Sequence, residues 1–507
     1  MTSEASDLPI KGIVGVVAGE ASLEAALRPR EGEAARPDAL EVRADLFEPP
    51  AAALAAVEQA AGELPVLFTV RLRSHGGKWE RDDAARIGLY RDALRRGASL
   101  VDAEWNSEAA RALAREGAPL VASHHDFESM PDADSLEEIA RLVAELHPRV
   151  LKVVPTARNP RDAVRILEWV AAARPDGPPR VGFAMGEMGL PSRVLAMAWG
   201  SPFTYGSLGK AVAPGQPSVR DLRALYRADR LTRSTRVLGV IGNPVAHSLS
   251  PEMHNRALGA RGIDAVYIPF RLESVADLEG LVDSLGIDGL SVTIPFKEDA
   301  LHFASEADDR ARSSGAANTL LIRRESGGVR RALATNTDFD GVLGPLERRR
   351  VETRGLSAAI IGNGGAARGA ARALKEAGSS VTLYSRSIER GRPVAEALGV
   401  LSAPLGTLEE GRHGLIVNAT PLGLRPGDPS PVPAEVFNPR TIAFDMIYEP
   451  PETPFLTAAR SRGAPWIPGR EMLLCQGLVQ FRLFTGAEAS YEELEAAFLD
   501  GQAARRP

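Results

Sequence analysis

The sequence predicts an α/β protein in which a (β/α)8 TIM barrel precedes a two-lobed α/β region that ends in a Rossmann-type sheet. The chain has 507 residues, too many for one hydrophobic core, so we expect two or three domains. Its first part alternates short apolar segments with segments rich in Ala, Arg and Glu. Residues 358–386 have the order strand, glycine turn, helix and strand, which is typical of a doubly wound parallel sheet.

Composition and charge exclude several classes of partner. Apolar residues make up 44% of the chain and charged residues 25%, as in ordinary globular proteins. The net charge of -6 provides no broad basic surface, so we expect no nucleic-acid partner. The single cysteine, Cys475, cannot form an intrachain disulfide and favours a reducing compartment. No apolar segment approaches the length of a membrane span and residues 1–8 lack a signal pattern, so we expect a cytoplasmic protein without a membrane partner.

Eight candidate strands occupy the first part of the chain, which we assign to a domain of residues 1–230. They cover residues 13–17, 39–43, 66–71, 100–104, 119–123, 150–154, 181–185 and 202–205, with helical segments such as 83–96, 135–146 and 162–173 between them. Eight βα units in roughly 215 residues favour a closed barrel near the lower size limit. An open doubly wound sheet is the alternative.

Polar residues lie at or just beyond the ends of these strands, where the active sites of such barrels are built. They are Glu41, Arg43, Asp45, Arg71, Asp102, Glu104, His124, His125, Asp126, Lys152, Glu187 and Arg193. Lys152 lies within the apolar segment 150–154, where burial favours the neutral, nucleophilic amine that imine formation requires. The alternative is a lysine without a catalytic role, whose amine extends past the strand end. The presence of His125 favours an imine-forming lysine.

Several motifs of this first part resemble the type I 3-dehydroquinate dehydratase family. They are residues 41–45 (EVRAD), 123–127 (SHHDF), 151–152 (LK), 185–189 (MGEMG), 192–193 (SR) and 213–216 (APGQ). The resemblance implies that Lys152 forms an imine with the C3 ketone of 3-dehydroquinate and that His125 moves protons as water is lost. It further implies that Arg193 holds the substrate carboxylate and that the pocket is lined by Glu41, Arg43, Arg71 and Gln216.

Two positions depart from that family. His75 stands where a glutamate usually orients the catalytic histidine, and Val212 stands where a serine is usual. The missing carboxylate removes a partner that would fix the tautomer and basicity of His125. Glu104 and Asp126 are the candidates to replace it, and we still expect dehydration.

Residues 231–507 carry a second set of strand-end groups. Ser248 and Ser250 lie two residues apart after a strand, where they could bind a carboxylate or vicinal hydroxyls, or cap a helix. Lys297 and Asp338 each follow a β-like segment beside small and amide residues. This arrangement suits a polyol pocket with an acid–base pair.

The glycine turn and the following strand predict the nucleotide. The turn contains Gly362, Asn363, Gly364, Gly365 and Ala366, and its small residues let the main chain approach a pyrophosphate at a helix N-terminus. The next strand ends in Ser385-Arg386 with Arg390 one turn further on, instead of the acidic residue typical of NAD sites. A guanidinium can pair with a 2′-phosphate, so the sequence predicts NADP. An ordinary glycine turn beside a solvated arginine is the alternative.

Motifs over residues 237–497 resemble the shikimate dehydrogenase family. They include residues 247–251 (HSLSP), 293–297 (TIPFK), 336–338 (NTD), 418–423 (NATPLG) and 445–448 (DMIY). The resemblance implies that Lys297 and Asp338 are the catalytic pair. It assigns the substrate to Ser248, Ser250, Thr293, Asn318, Tyr448 and Gln476, and adds Asn418 and Thr420 to the cofactor contacts. The implied substrate lobe is 237–334 plus 477–507, and the NADP-binding lobe is 335–476.

The two halves together predict a bifunctional enzyme that converts 3-dehydroquinate into 3-dehydroshikimate and then shikimate. The barrel's expected product is the dehydrogenase's expected substrate. One alternative is a shikimate or quinate dehydrogenase fused to an inactive barrel, and another is a nucleotide sensor on a scaffold. Lys297 and Asp338 argue against the sensor, because a protein that only senses a nucleotide needs no acid–base pair. The sequence implies no metal and leaves the oligomeric state open.

Overall fold

Eight parallel strands form the first sheet of the structure, a computed structural model that describes residues 8–28, 36–324 and 330–505. The strands are β1 (Gly12–Val17), β2 (Ala39–Arg43), β3 (Val66–Thr69), β4 (Leu100–Glu104), β5 (Leu120–His125), β6 (Val150–Val154), β7 (Arg180–Gly182) and β8 (Phe203–Ser207). The helices are α1 (Glu20–Leu27), α2 (Ala53–Ala61), α3 (Asp83–Arg95), α4 (Glu108–Arg115), α5 (Ala133–Ala144), α6 (Pro160–Ala171) and α7 (Leu190–Leu195).

The sheet curves into a nearly closed barrel. Its order is β7-β6-β5-β4-β3-β2-β1-β8, and β1 pairs in parallel with both β2 and β8. Within the described residues no ladder joins β7 and β8. Strand β7 has only three residues, and beyond its end the N–H of Met185 donates to the carbonyl of Pro155 at 2.7 Å. All eight predicted strands are confirmed. Three keep their predicted bounds, and the bounds of the other five move by one to three residues, as at His125 and Gly182, where periodicity gives no stop signal.

Four of the barrel helices begin with a local capping side chain. Asp82, Ser107, Asp132 and Asn159 accept a hydrogen bond from an N–H of the first turn of α3, α4, α5 and α6, respectively. These caps satisfy N–H groups that have no partner within the helix. These four βα units therefore have a helix start signal in their own sequence, whereas α1, α2 and α7 begin without a capping side chain.

The second sheet is mixed. It contains β9 (Arg236–Gly242), β10 (Ala265–Arg271), β11 (Ile287–Val292), β12 (Glu306–Ala307), β13 (Thr319–Arg324) and β14 (Arg330–Thr335), in the order β10-β9-β11-β13-β14-β12. Strand β13 is antiparallel to β11 and β14. The helices of this part are α8 (Ser250–Ala260), α9 (Leu278–Leu285), α10 (Lys297–Phe303) and α11 (Asp309–Ser314).

The third sheet has the doubly wound topology. After α12 (Asp338–Arg348) come β15 (Ser357–Ile361), α13 (Gly365–Glu376), β16 (Ser380–Ser385), α14 (Ile388–Leu398), β17 (Leu401–Pro404), β18 (Leu415–Asn418), β19 (Ile442–Asp445), α15 (Pro454–Ser461), β20 (Trp466–Ile467), α16 (Gly469–Thr485) and α17 (Tyr491–Ala504). The order β17-β16-β15-β18-β19-β20 is the 3-2-1-4-5-6 arrangement of dinucleotide-binding sheets, with the switch point between β15 and β18. The predicted Rossmann fold is confirmed.

Main-chain proximity divides the chain into two compact units. One contains Met1–Val237 and Asp264–Gly286, and the other contains Leu238–Ile263 and Ile287–Pro507. Helix α16 begins at Gly469 and continues through Gly477, the residue at which the sequence placed the return to the substrate lobe. Each of the two candidate sites lies within one of these units.

Candidate active sites

Alternation along the barrel strands decides which side chains point into the barrel. In β6, Val150 and Val154 pack in the interior apolar cluster, whereas Leu151 and Val153 pack between strands and helices. Lys152 therefore lies on the interior face. The same alternation places other predicted residues on that face: Glu41 and Arg43 of β2, Asp102 and Glu104 of β4, and His125 of β5.

The amine of Lys152 contacts three side chains. Nζ donates to Oδ2 of Asp102 and to the hydroxyl of Tyr205, both at 3.0 Å, and lies 3.8 Å from Oε1 of Glu41. It also lies 4.2 Å from the centroid of the Tyr205 ring. Lys152 is 3% exposed, so its amine is shielded from water and is held by a carboxylate and a phenol.

Asp102 is held in its ionised form. Arg71 donates to it at 2.9 Å and Ser123 at 2.6 Å, and Arg71 also donates to Glu104 at 3.2 Å. Burial opposes the charge of Asp102, but the attraction of Arg71 and Lys152 lowers its pKa well below the ordinary value. Asp102 is therefore an anchor for Lys152 rather than a proton acceptor.

His125 has a buried ring nitrogen that lacks a partner. Within the described part of the chain its Nδ1 atom forms no hydrogen bond. Burial first, and then the positive charges of Arg71 and Lys152, lower its pKa well below 6.5. The imidazole is therefore neutral at neutral pH and can accept a proton.

The acidic residues that the sequence offered as partners of His125 are engaged elsewhere. Glu104 is bound by Arg71 and Arg86. Oδ1 of Asp126 accepts main-chain N–H groups two and three residues further along, both at 2.8 Å. Neither carboxylate bonds to His125 in the described residues, so the proposed substitution for the missing glutamate is not observed.

Arg193 is a buried cation without an anionic partner among the described residues. It is 1% exposed, and its Nε and Nη2 atoms form no hydrogen bond. Burial lowers its pKa to about 9. The guanidinium lies 4.6 Å from the Phe183 ring centroid, and that ring lies 5.6 Å from the ring of Tyr205, which Lys152 contacts. A desolvated guanidinium with unused donors is suited to bind a carboxylate.

Three other predicted barrel residues bond within the barrel. Oγ1 of Thr69 donates to Glu41 at 2.9 Å. Arg43 forms a two-point pair with Asp45 at 2.8 and 2.9 Å. Oε1 of Gln216 accepts from the N–H of residue 212 at 3.2 Å. Contact of these side chains with substrate remains a prediction.

In the second unit, four predicted residues form one hydrogen-bonded cluster. Nζ of Lys297 lies 2.5 Å from Oδ2 of Asp338, and these residues begin α10 and α12. Nδ2 of Asn318 donates to Oδ1 of Asp338 at 2.9 Å and to Oε1 of Gln476 at 3.1 Å. The Asp338 side chain is 1% exposed and that of Lys297 15%, so the lysine is the solvent-facing member of this Lys297 cluster.

Gln480 supports this cluster and was not singled out by the sequence. Its Nε2 atom donates to Oγ1 of Thr319 at 2.9 Å, and Thr319 in turn donates to Oδ1 of Asn318 at 2.8 Å. These bonds orient the amide of Asn318 towards Asp338. The sequence feature that could have indicated Gln480 is its spacing from Gln476, since the two residues lie one turn apart on one helix.

The remaining predicted substrate residues lie outside the cluster. Oγ of Ser248 accepts from the N–H of Ser250 at 3.2 Å, and Ser250 is the first residue of α8, which agrees with the helix-start alternative. The N–H of Thr293 donates to the carbonyl of Ile241 at 2.9 Å. The Tyr448 ring packs at 6.2 Å from that of Phe498, and burial raises its pKa to about 12. In the described part of the chain no hydrogen bond joins these four predicted residues to the Lys297 cluster.

The glycine turn has the geometry of an anion site. Gly362 directly follows β15 and has φ +123°, which favours glycine, and an added Cβ would lie 3.0 Å from the carbonyl oxygen of Ala419. Asn363 and Ala366 are half-buried in the same turn. Gly364 is the N-cap of α13 and the first turn contains no acidic residue. The first N–H groups of α13 are therefore available to a phosphate, and the turn fits a dinucleotide.

The glycine turn lies beside the Lys297 cluster. A Cβ added at Gly365 would lie 3.5 Å from the Cβ of Lys297. One added at Gly369 would lie 3.2 Å from the Cβ of Asp338. Helix α13 thus places the nucleotide turn next to the acid–base pair.

The end of β16 is basic and exposed. Ser385 is the last strand residue, and its Oγ donates to the carbonyl of Ser387 at 2.8 Å. Arg386 and Arg390 are exposed, and neither forms an ion pair within the described residues. Both guanidinium groups are therefore available to a 2′-phosphate.

Asn418 and Thr420 shape the loop opposite Gly362. Oδ1 of Asn418 accepts from the N–H and the hydroxyl of Thr420 at 3.1 and 2.7 Å, and Nδ2 donates to Asp445 at 3.1 Å. Burial raises the pKa of Asp445 to about 6. Direct contact of Asn418 and Thr420 with a nucleotide remains a prediction.

The described ranges contain neither a metal-binding cluster nor a membrane-spanning helix. No group of three or more His, Cys, Asp or Glu side chains there is arranged to hold a metal ion. Among the helices of those same ranges, none combines the length and apolar character needed to cross a membrane.

Three family models match the sequence. The model described as type I 3-dehydroquinase matches residues 16–233. The shikimate dehydrogenase substrate binding domain matches residues 240–320, and the shikimate 5′-dehydrogenase C-terminal domain matches residues 469–497.

Individual proteins are similar to the chain over most of its length or over its second part. A bifunctional 3-dehydroquinate dehydratase/shikimate dehydrogenase of Arabidopsis thaliana, described as chloroplastic, is 31% identical over 85% of this chain and 74% of the relative. A shikimate dehydrogenase (NADP(+)) of Halorubrum lacusprofundi is 40% identical over 52% of this chain and 97% of the relative. A crystal structure of a shikimate dehydrogenase in complex with NADP+ is 33% identical, covers 54% of this chain and 97% of its own, and gives a TM-score of 0.50.

Proposed function

The chain belongs to the family of bifunctional 3-dehydroquinate dehydratase/shikimate dehydrogenases, and we propose how its residues divide the two reactions. The barrel dehydrates 3-dehydroquinate to 3-dehydroshikimate, and the second part reduces 3-dehydroshikimate to shikimate with NADPH.

In the barrel, Lys152 is the nucleophile that forms an imine with the substrate ketone. The observation that supports this role is the burial of its amine against Asp102 and Tyr205. Arg193 binds the substrate carboxylate, since its guanidinium has unused donors in a buried position. His125 accepts the proton lost during elimination, because its imidazole is neutral and its Nδ1 atom is free of partners within the described residues.

In the second site, Lys297 donates a proton to the ketone oxygen as reduction proceeds, and Asp338 holds the lysine in place. The observation that supports this pair is the 2.5 Å contact beside the glycine turn. NADPH supplies the hydride equivalent when bound. The first turn of α13 holds its pyrophosphate and Arg386 its 2′-phosphate, while Asn318 and Gln476 orient the hydroxyls of the substrate.

Borohydride trapping tests the barrel assignment. Sodium borohydride added with 3-dehydroquinate should leave a reduced adduct on Lys152, visible as a mass increase of the intact chain and of one peptide. Lys152→Ala should abolish the adduct and leave NADP-dependent shikimate oxidation unchanged. Failure to trap an adduct, together with no dehydration of 3-dehydroquinate, would favour the alternative of an inactive barrel.

We also propose the domain division 1–230 and 231–507, with lobes 237–334 plus 477–507 and 335–476. The boundaries of the matching family models, 16–233 and 240–320, support the first division. A cytoplasmic location is proposed on the single cysteine, which is buried and unpaired.

A further inference from the structure

The hydroxyl of Tyr205 is a polar atom at the barrel site to which the family resemblance gives no role. It lies 3.0 Å from Nζ of Lys152, and Tyr205 is 3% exposed. Its ring packs at 5.6 Å from the rings of Phe183 and Phe203. The phenol therefore has a fixed position beside the reacting nitrogen.

The other groups around Nζ are poorly placed to move its protons. Asp102 already accepts hydrogen bonds from Arg71 and Ser123, which keep it ionised. Glu41 lies 3.8 Å away and accepts from Thr69. Burial raises the pKa of Tyr205 well above 10, so its hydroxyl keeps its proton and can accept and donate at once.

We propose that Tyr205 is a further catalytic residue of the dehydratase, whose hydroxyl relays protons from Nζ of Lys152 to the substrate ketone oxygen during imine formation. The proposal rests on the Schiff-base function assigned to Lys152 above. It follows from the direct contact between the phenol and the reacting atom.

The protons and electron pairs of the relay balance when it starts from the ammonium form of Lys152. Nζ gives one proton to the phenolic oxygen while the phenol gives its own proton to the ketone oxygen. The freed nitrogen lone pair then forms the C–N bond, and the carbonyl π electrons move to the oxygen. A second relay converts the hydroxyl into water, which leaves with the C–O electron pair as the nitrogen lone pair forms C=N. The iminium keeps one ammonium proton, water takes two, and the phenol is unchanged.

Timed trapping of the full-length enzyme tests the relay. Protein and 3-dehydroquinate are mixed, quenched with borohydride after increasing intervals, and the adduct is quantified by intact mass. Tyr205→Phe keeps the ring and its packing, so we expect the same final amount of adduct but formation about a hundredfold slower, the usual contribution of a proton-transfer group. The substrate concentration that gives half-maximal rate should stay near that of the parent, because Arg193 is unchanged.

Tyr90→Phe is the matched control. Tyr90 is another buried phenol of the barrel, and its hydroxyl donates to the carbonyls of Asp102 and Val70 at 2.7 and 3.2 Å without contacting Nζ. We expect this variant to form the adduct at the parent rate. A parent-like rate in Tyr205→Phe, or equal slowing in both variants, would overturn the relay alone. Absence of an adduct in the parent would overturn the Schiff base and the relay together.

Discussion

The imidazole rings of His75 and His125 lie edge to face, with centroids 6.2 Å apart and planes at 78°. The Nδ1 atoms of both are buried and form no hydrogen bond with described residues. Burial also lowers the pKa of His75 below its ordinary value. The residue beside the proposed catalytic base is therefore a neutral ring that supplies no charge to orient that base.

The lowered pKa of His125 predicts where the rate of dehydration falls on the acidic side of its pH profile. The pKa of His125 is lowered by burial and by Arg71 and Lys152, so the neutral base persists as pH falls past 6.5. The value of kcat/KM for dehydration, measured between about pH 5 and 8, should therefore reach half its maximum well below pH 6.5. A half-maximum at or above 6.5 would contradict the assignment of His125.

Replacing His75 with glutamate should accelerate dehydration. A carboxylate there would accept a hydrogen bond from His125 and stabilise its protonated form, so we expect kcat to rise by about tenfold, the equivalent of roughly 1.5 kcal/mol. The acidic limb should also move to higher pH, because a neighbouring negative charge raises the pKa of His125. His75→Gln, which lacks the charge, serves as the control. If glutamate and glutamine behave alike, charge at this position does not limit turnover.

Arg193→Met should weaken substrate binding and stabilise the free enzyme. Loss of a charge-assisted hydrogen bond of about 1.5–3 kcal/mol should raise KM for 3-dehydroquinate roughly 10- to 150-fold. Removing a buried, unpaired cation should raise the free energy of unfolding of the barrel by about 1 kcal/mol or more. Arg180→Met is the control, because Arg180 pairs with Glu137 at 2.6 Å and its loss should lower Tm without changing KM. An unaltered KM in Arg193→Met would exclude the carboxylate contact.

Lys297→Met and Asp338→Asn should each lower kcat for shikimate oxidation by about a hundredfold or more, since positioned acid–base groups contribute on that order. KM for shikimate should change much less. Dehydration of 3-dehydroquinate by the same preparations is the internal control and should remain at the parent level. Near-normal turnover in both variants would remove the pair from the mechanism.

Arg386→Ala should raise KM for NADP by about tenfold or more, because a charged hydrogen bond to the 2′-phosphate is lost. Kinetics with NAD should be nearly unchanged, since NAD lacks that phosphate. Arg392→Ala is the matched control: Arg392 is exposed on α14, the helix that begins two residues after Arg386, and it lies outside the predicted contacts. Equal losses with NADP and NAD would argue against the 2′-phosphate contact.

The sequence by itself determined the elements that depend on local order. Short segments of sequence specify the eight barrel strands, the glycine turn and the lysine within an apolar strand. This is because periodicity, turn chemistry and burial act over a few residues. The sequence defined the bounds of elements less well, as in β7, which ends at Gly182 and not at the predicted residue 185.

The tertiary structure alone decided which side chains meet. Tyr205 and Lys152 are 53 residues apart in sequence, and Asn318 and Gln476 are 158 apart. Curvature of the first sheet creates the first contact, and the return of α16 creates the second. The unpaired state of Arg193 likewise depends on which elements surround it. No local pattern encodes such contacts, because they follow from the packing of distant segments whose mutual positions only the complete fold fixes.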